Sequence, residues 1–536
     1  MHTNYVLNVF VFFIEWYNRI MSKKIAKVVL NSVSHDARVI KEAQSLSEAG
    51  YDVSIIGIED AKNDVPFEKF NEKVDIYRAA WKSYAVLPGN TIYILSFLAA
   101  LILGYGGYIL FNNASSTIAF FDTVASELPQ FPIFKFALAV VALVAVSVII
   151  KNVIEGYIQK IGSYGKLKAH EKENLLKYNL TNISGINATN QSNSFIKFIP
   201  RFLAQGLGKI FSPQQNRTWR VVYAREQAIT EILENIKPDI VHAHDISALP
   251  VCYHYKKKYG SKLVFDAHEI YDRLAQADDD TSKLNKFMLR KYSNSVDMFV
   301  TINTSISKYY SIMYPDFPSA IVVKNAAHND TEVHYDGRLH EACGVSKSKK
   351  IILYQGGFAQ KRGLEALLLS AKYLDESWQL VFMGWGNFEE ELNKAHLLLN
   401  KNDLKSLSNV SFVDKARQDE LAYWSSGATI GVIPYENVGL NHWYCTPNKL
   451  WEYPNANVPI LVSPFPEMQK VLEKWKIGWE LPDPLDPKSI AEIINNLDEN
   501  EIIEAKENCK NYMKSDNWNL YAKKLIEGYQ KLNQNG

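Results

Sequence analysis

Cysteine is scarce in this chain: four residues in 536, at positions 252, 343, 445 and 509, with no CxxC pair. That spacing excludes a disulfide framework and a zinc ribbon and suits a reducing compartment. Charge of one sign is equally lacking. Lys and Arg number 59 against 58 Asp and Glu, a net of +1, so nothing in the balance suggests a nucleic-acid partner. Asn-x-Ser/Thr triplets at Asn179, Asn182, Asn187 and Asn216 are what chance supplies in an Asn-rich chain. Val6–Ile14 is apolar but too short to span a bilayer, and it has neither a basic start nor a small-residue cleavage site. Residues 1–20 are accordingly expected to be an extension, with Met21 as the start of the protein proper. What remains is an ordinary globular composition, 47% hydrophobic and 22% charged, long enough for two domains.

Two runs break that ordinariness. Ile92–Phe111 carries no charge over about twenty residues, the length of a membrane-crossing helix, and Phe131–Ile150 carries only Lys135, placed to snorkel. The stretch Asn112–Gln130 between them has no Lys or Arg, whereas Arg78, Lys82, Lys151, Lys160, Lys166 and Lys168 flank the pair. The positive-inside bias therefore predicts a hairpin with both flanks in the cytoplasm; a re-entrant pair and two buried core helices are the other readings. Phe195–Phe202 mixes aromatics with Lys197 and Arg201, as an interfacial segment or a plain surface turn would.

Without the insertion, apolar strands alternate with amphipathic helices. Strands are expected at Ile25–Leu30, Tyr51–Ile56, Ile240–Ala243, Lys262–Asp266, Met298–Ile302 and Ala320–Lys324. Helices are expected at Arg38–Ala49, Arg225–Ile236 and Ala248–Tyr259. A second series starts at Lys350. The fold class is therefore α/β, with two Rossmann-like, doubly wound parallel sheets facing each other and ligands at the carboxyl ends of strands. The domains are expected at 21–328, interrupted by an 85–205 insertion, and at 350–500. A linker at 329–349 joins them, and terminal helices occupy 501–536.

Chemistry-bearing residues gather at those strand ends. In TPNKLWEY, Thr446 is expected to cap a helix with Pro447 at its first position, Asn448 and Lys449 in the first turn, and Glu452 on the Asn448 face. A helix start with a lysine suits a phosphate, and a carboxylate one turn on can accept hydrogen bonds from a ribose diol. After the preceding strands come Gly356, Gly357 and Arg362, whose fork-shaped cation suits a diphosphate, and then Gly384 and Gly386, placed to line a base. The first series ends in His242-Ala-His244-Asp245 and Asp266-Ala-His268-Glu269. His242 and His244 share a face, so a metal site with the second cluster and polar contact with a sugar both remain open. Asp36 and Arg38 are expected to be cap and surface.

Taken in order, SHDARVIKEAQSLSEAGYDV, PDIVHAHD, FDAHE, YQGGFAQKRGLE, MGWGNFEEEL and TPNKLWEY resemble the retaining GT-B glycosyltransferases that share the "glycosyl transferases group 1" domain. The likeness runs from about Lys23 to Ala80 and from Arg225 onward. It implies metal-independent transfer with retention from a nucleotide-sugar, without a cofactor. It implies that His268, Arg362 and Lys449 serve catalysis. Gly356, Gly357, Arg362, Gly384, Gly386, Asn448, Lys449 and Glu452 would hold the donor, and Asp36, His244, Asp245 and Glu269 would face the acceptor. Two positions depart from the family: Tyr444 stands where a first glutamate is common, and Gly357 where an arginine is usual. Leu440–Cys445 is expected to supply the sugar contacts instead. With the hairpin, the expected activity is sugar transfer to a lipid-linked acceptor at the cytoplasmic membrane face, in polysaccharide or glycolipid synthesis. A non-catalytic membrane scaffold and a nucleotide-sugar epimerase are the alternatives.

Overall fold

The computed structural model describes residues 22–34, 36–60, 65–71, 73–80, 213–274, 277, 279–329, 333–390, 392–394 and 408–534. The apolar runs read as a hairpin, Phe195–Phe202 and the first twenty residues lie outside these. Among the described residues no helix is long and apolar enough to cross a membrane.

The chain opens with β1 (Lys24–Val28), α1 (Ala37–Glu48) and β2 (Asp52–Ile58). Val39, Ala43 and Leu46 recur at helical spacing on α1, and all three are fully buried. Asp36 caps the helix by accepting from the Val39 N–H, and the chain turns at Gly50 with φ +95°. The short strand β3 (Phe67–Lys69) pairs antiparallel with β4 (Val74–Ala79). The chain resumes with α2 (Pro213–Ile236), β5 (Ile240–His244), α3 (Asp245–Tyr259) and β6 (Lys262–Ala267). Then come α4 (Asp279–Tyr292), β7 (Met298–Thr301), α5 (Thr304–Met313) and β8 (Ile321–Val322). The sheet order is β3-β4-β2-β1-β5-β6-β7-β8, parallel except at β3. β3 and β4 were missed because β3 is fully exposed and β4 alternates, so neither forms an apolar run.

The second layer starts with α6 (Arg338–Cys343), β9 (Lys350–Gly357), α7 (Leu364–Ser370), β10 (Trp378–Trp385) and β11 (Val410–Asp414). It continues through α8 (Leu421–Ser425), β12 (Ile430–Ile433), α9 (Leu440–Trp443), α10 (Lys449–Asn455) and β13 (Ile460–Val462). α11 (Pro466–Trp475), β14 (Gly478–Glu480) and α12 (Pro487–Asn495) complete it. This sheet is wholly parallel, in the order β11-β10-β9-β12-β13-β14. Parallel sheets need both faces covered, which is why their strands read as near-continuous apolar runs.

The terminal helices divide between the layers. α13 (Glu499–Ser515) packs beside α10 and α11, while α14 (Trp518–Gln534) packs on α1 and β8. Gly528 permits that approach, since a Cβ there would lie 2.5 Å from Ile321. Asp516, between the two helices, receives Lys324 Nζ at 3.0 Å, Trp451 Nε1 at 3.0 Å and Tyr521 OH at 2.9 Å. One carboxylate thus ties the end of the first sheet, helix α10 and the returning helix together.

Candidate active site

The strand ends of the two sheets enclose a cavity of about 270 Å³. From the first sheet it is lined by Asp36, Arg38, His268, Glu269 and Asn325, and from the second by Arg362, Tyr435, Asn441, His442, Cys445 and Asn448. Cross-layer hydrogen bonds close it: the Ile270 N–H donates to Asn441 Oδ1 at 2.8 Å, and Asn303 Nδ2 to the Tyr444 carbonyl at 2.8 Å. Asn325 Nδ2 likewise donates to Asn448 Oδ1 at 3.0 Å.

On the second-sheet side, α10 is anchored by what its sequence buries. Trp451 and Tyr453 are fully buried, and the Tyr453 ring lies over Gly431, where a Cβ would come within 2.4 Å. Its hydroxyl donates to the Leu353 carbonyl at 2.8 Å and accepts from the Gln355 N–H at 3.0 Å. Lys449 and Glu452 are thereby held against the end of β9. Gly356 has φ +120° and a Cβ there would lie 3.1 Å from Lys449 Nζ, so glycine makes room for the ammonium. Glu452 accepts from Gln355 Nε2 at 3.1 Å.

Lys449 Nζ lies 5.3 Å from the Tyr354 ring and 5.6 Å from that of Tyr435, and the Arg362 guanidinium is 4.3 Å from the Tyr435 ring. Among the described residues neither cation has a carboxylate at ion-pair distance. Burial first, and then the neighbouring Arg362, push Lys449 down to about 8. Both cations thus approach the Tyr435 ring, and Glu452 acts on Lys449 only from beyond ion-pair distance, which leaves the pair short of negative charge.

One expectation for this side, the helix cap at Thr446, needs correction. Thr446 is not the helix cap: its Oγ1 accepts from Asn303 Nδ2, and α10 begins after Asn448 with no side-chain cap. Gly384 and Gly386 lie outside the cavity. A Cβ on Gly384 would meet the Gly356 carbonyl at 1.9 Å and one on Gly386 the Phe358 carbonyl at 2.1 Å. These glycines let the two strand-end turns pack on each other. Gly357 is exposed and has room for a side chain, with the Trp385 carbonyl 3.9 Å from a Cβ there.

The first-sheet side rests on a buried ionic cluster. Lys27 Nζ donates to Glu42 Oε2 at 2.7 Å and contacts His242 Nδ1 at 2.8 Å, where Tyr529 OH from α14 also sits at 2.8 Å. Arg38 donates from Nε and Nη2 to the Asp266 oxygens at 2.8 and 3.0 Å, and from Nη1 to the Val323 carbonyl at 2.8 Å. Arg38 is thus buried, correcting its expected surface position; its partner lies far away in sequence. Burial alone would raise the Asp266 carboxyl, but Arg38 and His268 outweigh it and hold it well below the usual carboxylate range.

His268 stands between this cluster and the cavity, with Nε2 3.0 Å from Asp266 Oδ2 and Nδ1 3.3 Å from Asp245 Oδ1. Burial pulls its pKa down, yet the two carboxylates prevail and raise it to about 9. Glu269 is pushed up by burial and by Asp245, and eased down by Arg362 across the cleft. Asp245 is bound by the Tyr271 hydroxyl, so it positions His268 rather than lining the cavity.

His244 does not face an acceptor: it is fully buried, stacked on His242 with ring centroids 4.2 Å apart. Glu42, His242, His244 and Asp266 do offer four ligand atoms within 4.8 Å of one another. The donor set does not fit a resident divalent ion, because the Lys27 ammonium already bridges Glu42 and His242 and Arg38 covers Asp266. Tyr435 and Asn325 escaped sequence reading, because nothing in their immediate neighbours marks them. Asn441, His442 and Cys445 lie in the cavity, within the segment expected to contact the sugar.

The description Glycosyltransferase Family 4 matches residues 201–323, and Glycosyl transferases group 1 matches residues 338–516. Among curated proteins, none matches the chain. Similar solved structures include a sucrose-phosphate synthase from Thermosynechococcus elongatus, with a TM-score of 0.60 at 11% identity, covering 96% of this chain and 100% of that one. HepE from Anabaena, in complex with UDP and glucose, has a TM-score of 0.55 at 10% identity, covering 95% and 100%. An α,α-trehalose 6-phosphate synthase from Burkholderia multivorans has 0.54 at 9%, covering 96% and 99%. At these identities the shared property is the fold. The two family matches, with the two parallel sheets, support a glycosyltransferase of the GT-B kind.

Proposed function

We propose that the cleft takes a nucleotide diphosphate sugar and transfers the sugar, with retention and without a metal, to a lipid-linked acceptor at the cytoplasmic face of a membrane. The observation that carries the donor half is the pair of cations Arg362 and Lys449, 4.3 and 5.6 Å from the Tyr435 ring, with no carboxylate at ion-pair distance among the described residues. A diphosphate supplies the missing charge, and Glu452 beside it suits the ribose diol. As the sugar–phosphate bond breaks, negative charge grows on the leaving oxygen, and fixed cations stabilise that charge more than the ground state. The HepE structure, of the same fold, holds UDP and glucose, which agrees with such a donor. Asn441, His442 and Cys445 then face the sugar, with Asp36, His268 and Glu269 opposite. The lipid half rests on the apolar runs Ile92–Phe111, without a charge, and Phe131–Ile150, with Lys135 alone, which suit an enzyme meeting a carrier in the bilayer.

Membranes containing the full chain, supplied with radiolabelled nucleotide-sugars, are expected to pass label into the lipid fraction. Label confined to water-soluble products would reject the lipid acceptor while leaving the donor site standing. In the same assay Glu452→Ala is expected to raise the donor KM by the loss of about 1.5–3 kcal/mol, the scale of hydrogen bonds to a charged group. An unchanged KM would remove Glu452 from the site.

Lys449 adds a pH signature. Burial and then Arg362 push its pKa down to about 8. A bound diphosphate raises it, so binding requires the proton to be present. Donor affinity is therefore expected to be level below pH 8 and to fall above it, by up to roughly tenfold per pH unit. Calorimetric titration with a nucleoside diphosphate across that range reads the change directly; a flat profile would contradict a protonated Lys449 in the site.

A further inference from the structure

Apart from its cations, the cleft has an apolar wall. Ile302, just past β7, and Ile306, in the first turn of α5, line the cavity together with Cys445 and Pro447. Asn303 joins the two halves of this wall, since its Nδ2 donates to the Tyr444 carbonyl at 2.8 Å and to Thr446 Oγ1 at 2.5 Å. Polar groups beside the wall are largely spent within the protein. Asn441 Oδ1 accepts from the Ile270 N–H at 2.8 Å, and His442 Nδ1 donates to the Glu436 carbonyl at 3.2 Å. Asp36 accepts from the Val39 N–H at 3.2 Å and from Asn31 Nδ2 at 2.9 Å. Tyr444, at the position where a first glutamate is common in the family the sequence resembles, lies outside the cavity. Among the described residues lining the cavity, Glu269 is the carboxylate left to read a sugar hydroxyl.

We propose that this wall selects a donor sugar carrying a methyl group, as an acetamido or a 6-deoxy sugar does. The proposal rests on the donor reading of the cleft. Cys445 fixes where the wall stands. Burial raises its thiol to about 12, Arg362 and then Lys449 draw it down, and Glu269 pushes it up. The thiol is therefore neutral, a small apolar group set among the two cations and Glu269. With a diphosphate on Arg362 and Lys449, the group bonded next to it is the sugar, and Cys445 then faces the ring. A methyl buried against Ile302, Ile306 and Cys445 is stabilised by leaving water. A hydroxyl placed there also leaves water but finds no partner, which disfavours the fully hydroxylated sugar.

The test is calorimetric titration of the full chain in detergent. UDP, dTDP, GDP and ADP first identify the base bound most tightly. With that base, donors carrying glucose, galactose and mannose are compared with their 2-acetamido and 6-deoxy counterparts. One class of methyl-bearing donor is expected to bind about 10- to 100-fold more tightly than its hydroxylated counterpart. Which class does so tells the acetamido from the 6-deoxy sugar. Cys445→Ser and Ile302→Asn each put a polar group into the wall and are expected to shrink that ratio several-fold. Because a ratio is read, a general loss of binding does not imitate the result. Equal affinity within every pair overturns the proposal and leaves the diphosphate site standing. A ratio indifferent to both variants places the preference elsewhere in the cleft and overturns it too. No binding of any of the nucleoside diphosphates refutes the donor reading itself, and the role of the wall with it.

Discussion

Arg362→Ala is expected to lower kcat by about 10²–10³, the scale seen when one fixed donor to a developing anion is removed. The guanidinium lies 4.3 Å from the Tyr435 ring and lines the cavity, where it eases down the Glu269 carboxyl on the opposite sheet. Its charge is permanent, and as the leaving phosphate gains charge its attraction grows. The loss should therefore appear chiefly in kcat, with a smaller rise in KM, unlike Glu452→Ala. Lysine at this position should restore only part of the rate, because it offers a point charge and no fork. Steady-state kinetics of the three proteins decide the matter. Wild-type kcat in Arg362→Ala would place the reaction elsewhere.

The second large effect lies beneath the cleft. Arg38→Met is expected to destabilise the protein by about 3–5 kcal/mol, since it leaves the buried Asp266 carboxylate short of its main cation. Arg38 makes two hydrogen bonds to that carboxylate and one to the Val323 carbonyl, all within the interior. Asp266 would keep only its histidine contacts, Nε2 of His268 at 3.0 Å and Nδ1 of His244 at 3.4 Å. Pairing Arg38→Met with Asp266→Asn should recover part of the loss, because the uncompensated charge is then gone. Denaturant unfolding of the single and double variants measures this coupling. A single variant as stable as the wild type would show that the ionic cluster contributes nothing.

That cluster marks the limit of sequence reading. The strand β1 was legible from Ile25–Leu30, but Lys27 within it gave no sign of its role. Its partners Glu42 and His242 lie 15 and 215 residues away, and Tyr529 approaches His242 across 287. Histidines at alternate strand positions were rightly placed on one face, and they stack there. Whether that face met a sugar, a metal or a lysine depended on which helix covered the strand. The glycines after β10 pose a similar problem. A strand-end glycine permits close approach, yet only the folded chain shows that at Gly384 and Gly386 the approaching group is the neighbouring turn.

By itself the sequence determined the two α/β series and most of their strands, and it singled out Arg362, Lys449 and Glu452 by their side-chain chemistry. Those features follow from residue period, turn residues and side-chain charge, all of which act over a few positions. Tertiary structure alone decided that Arg38 is interior, that Thr446 serves Asn303 instead of capping α10, and that α14 returns to the first sheet to reach His242. Each of these turns on a contact between distant segments, where burial and hydrogen-bond satisfaction outweigh local preference.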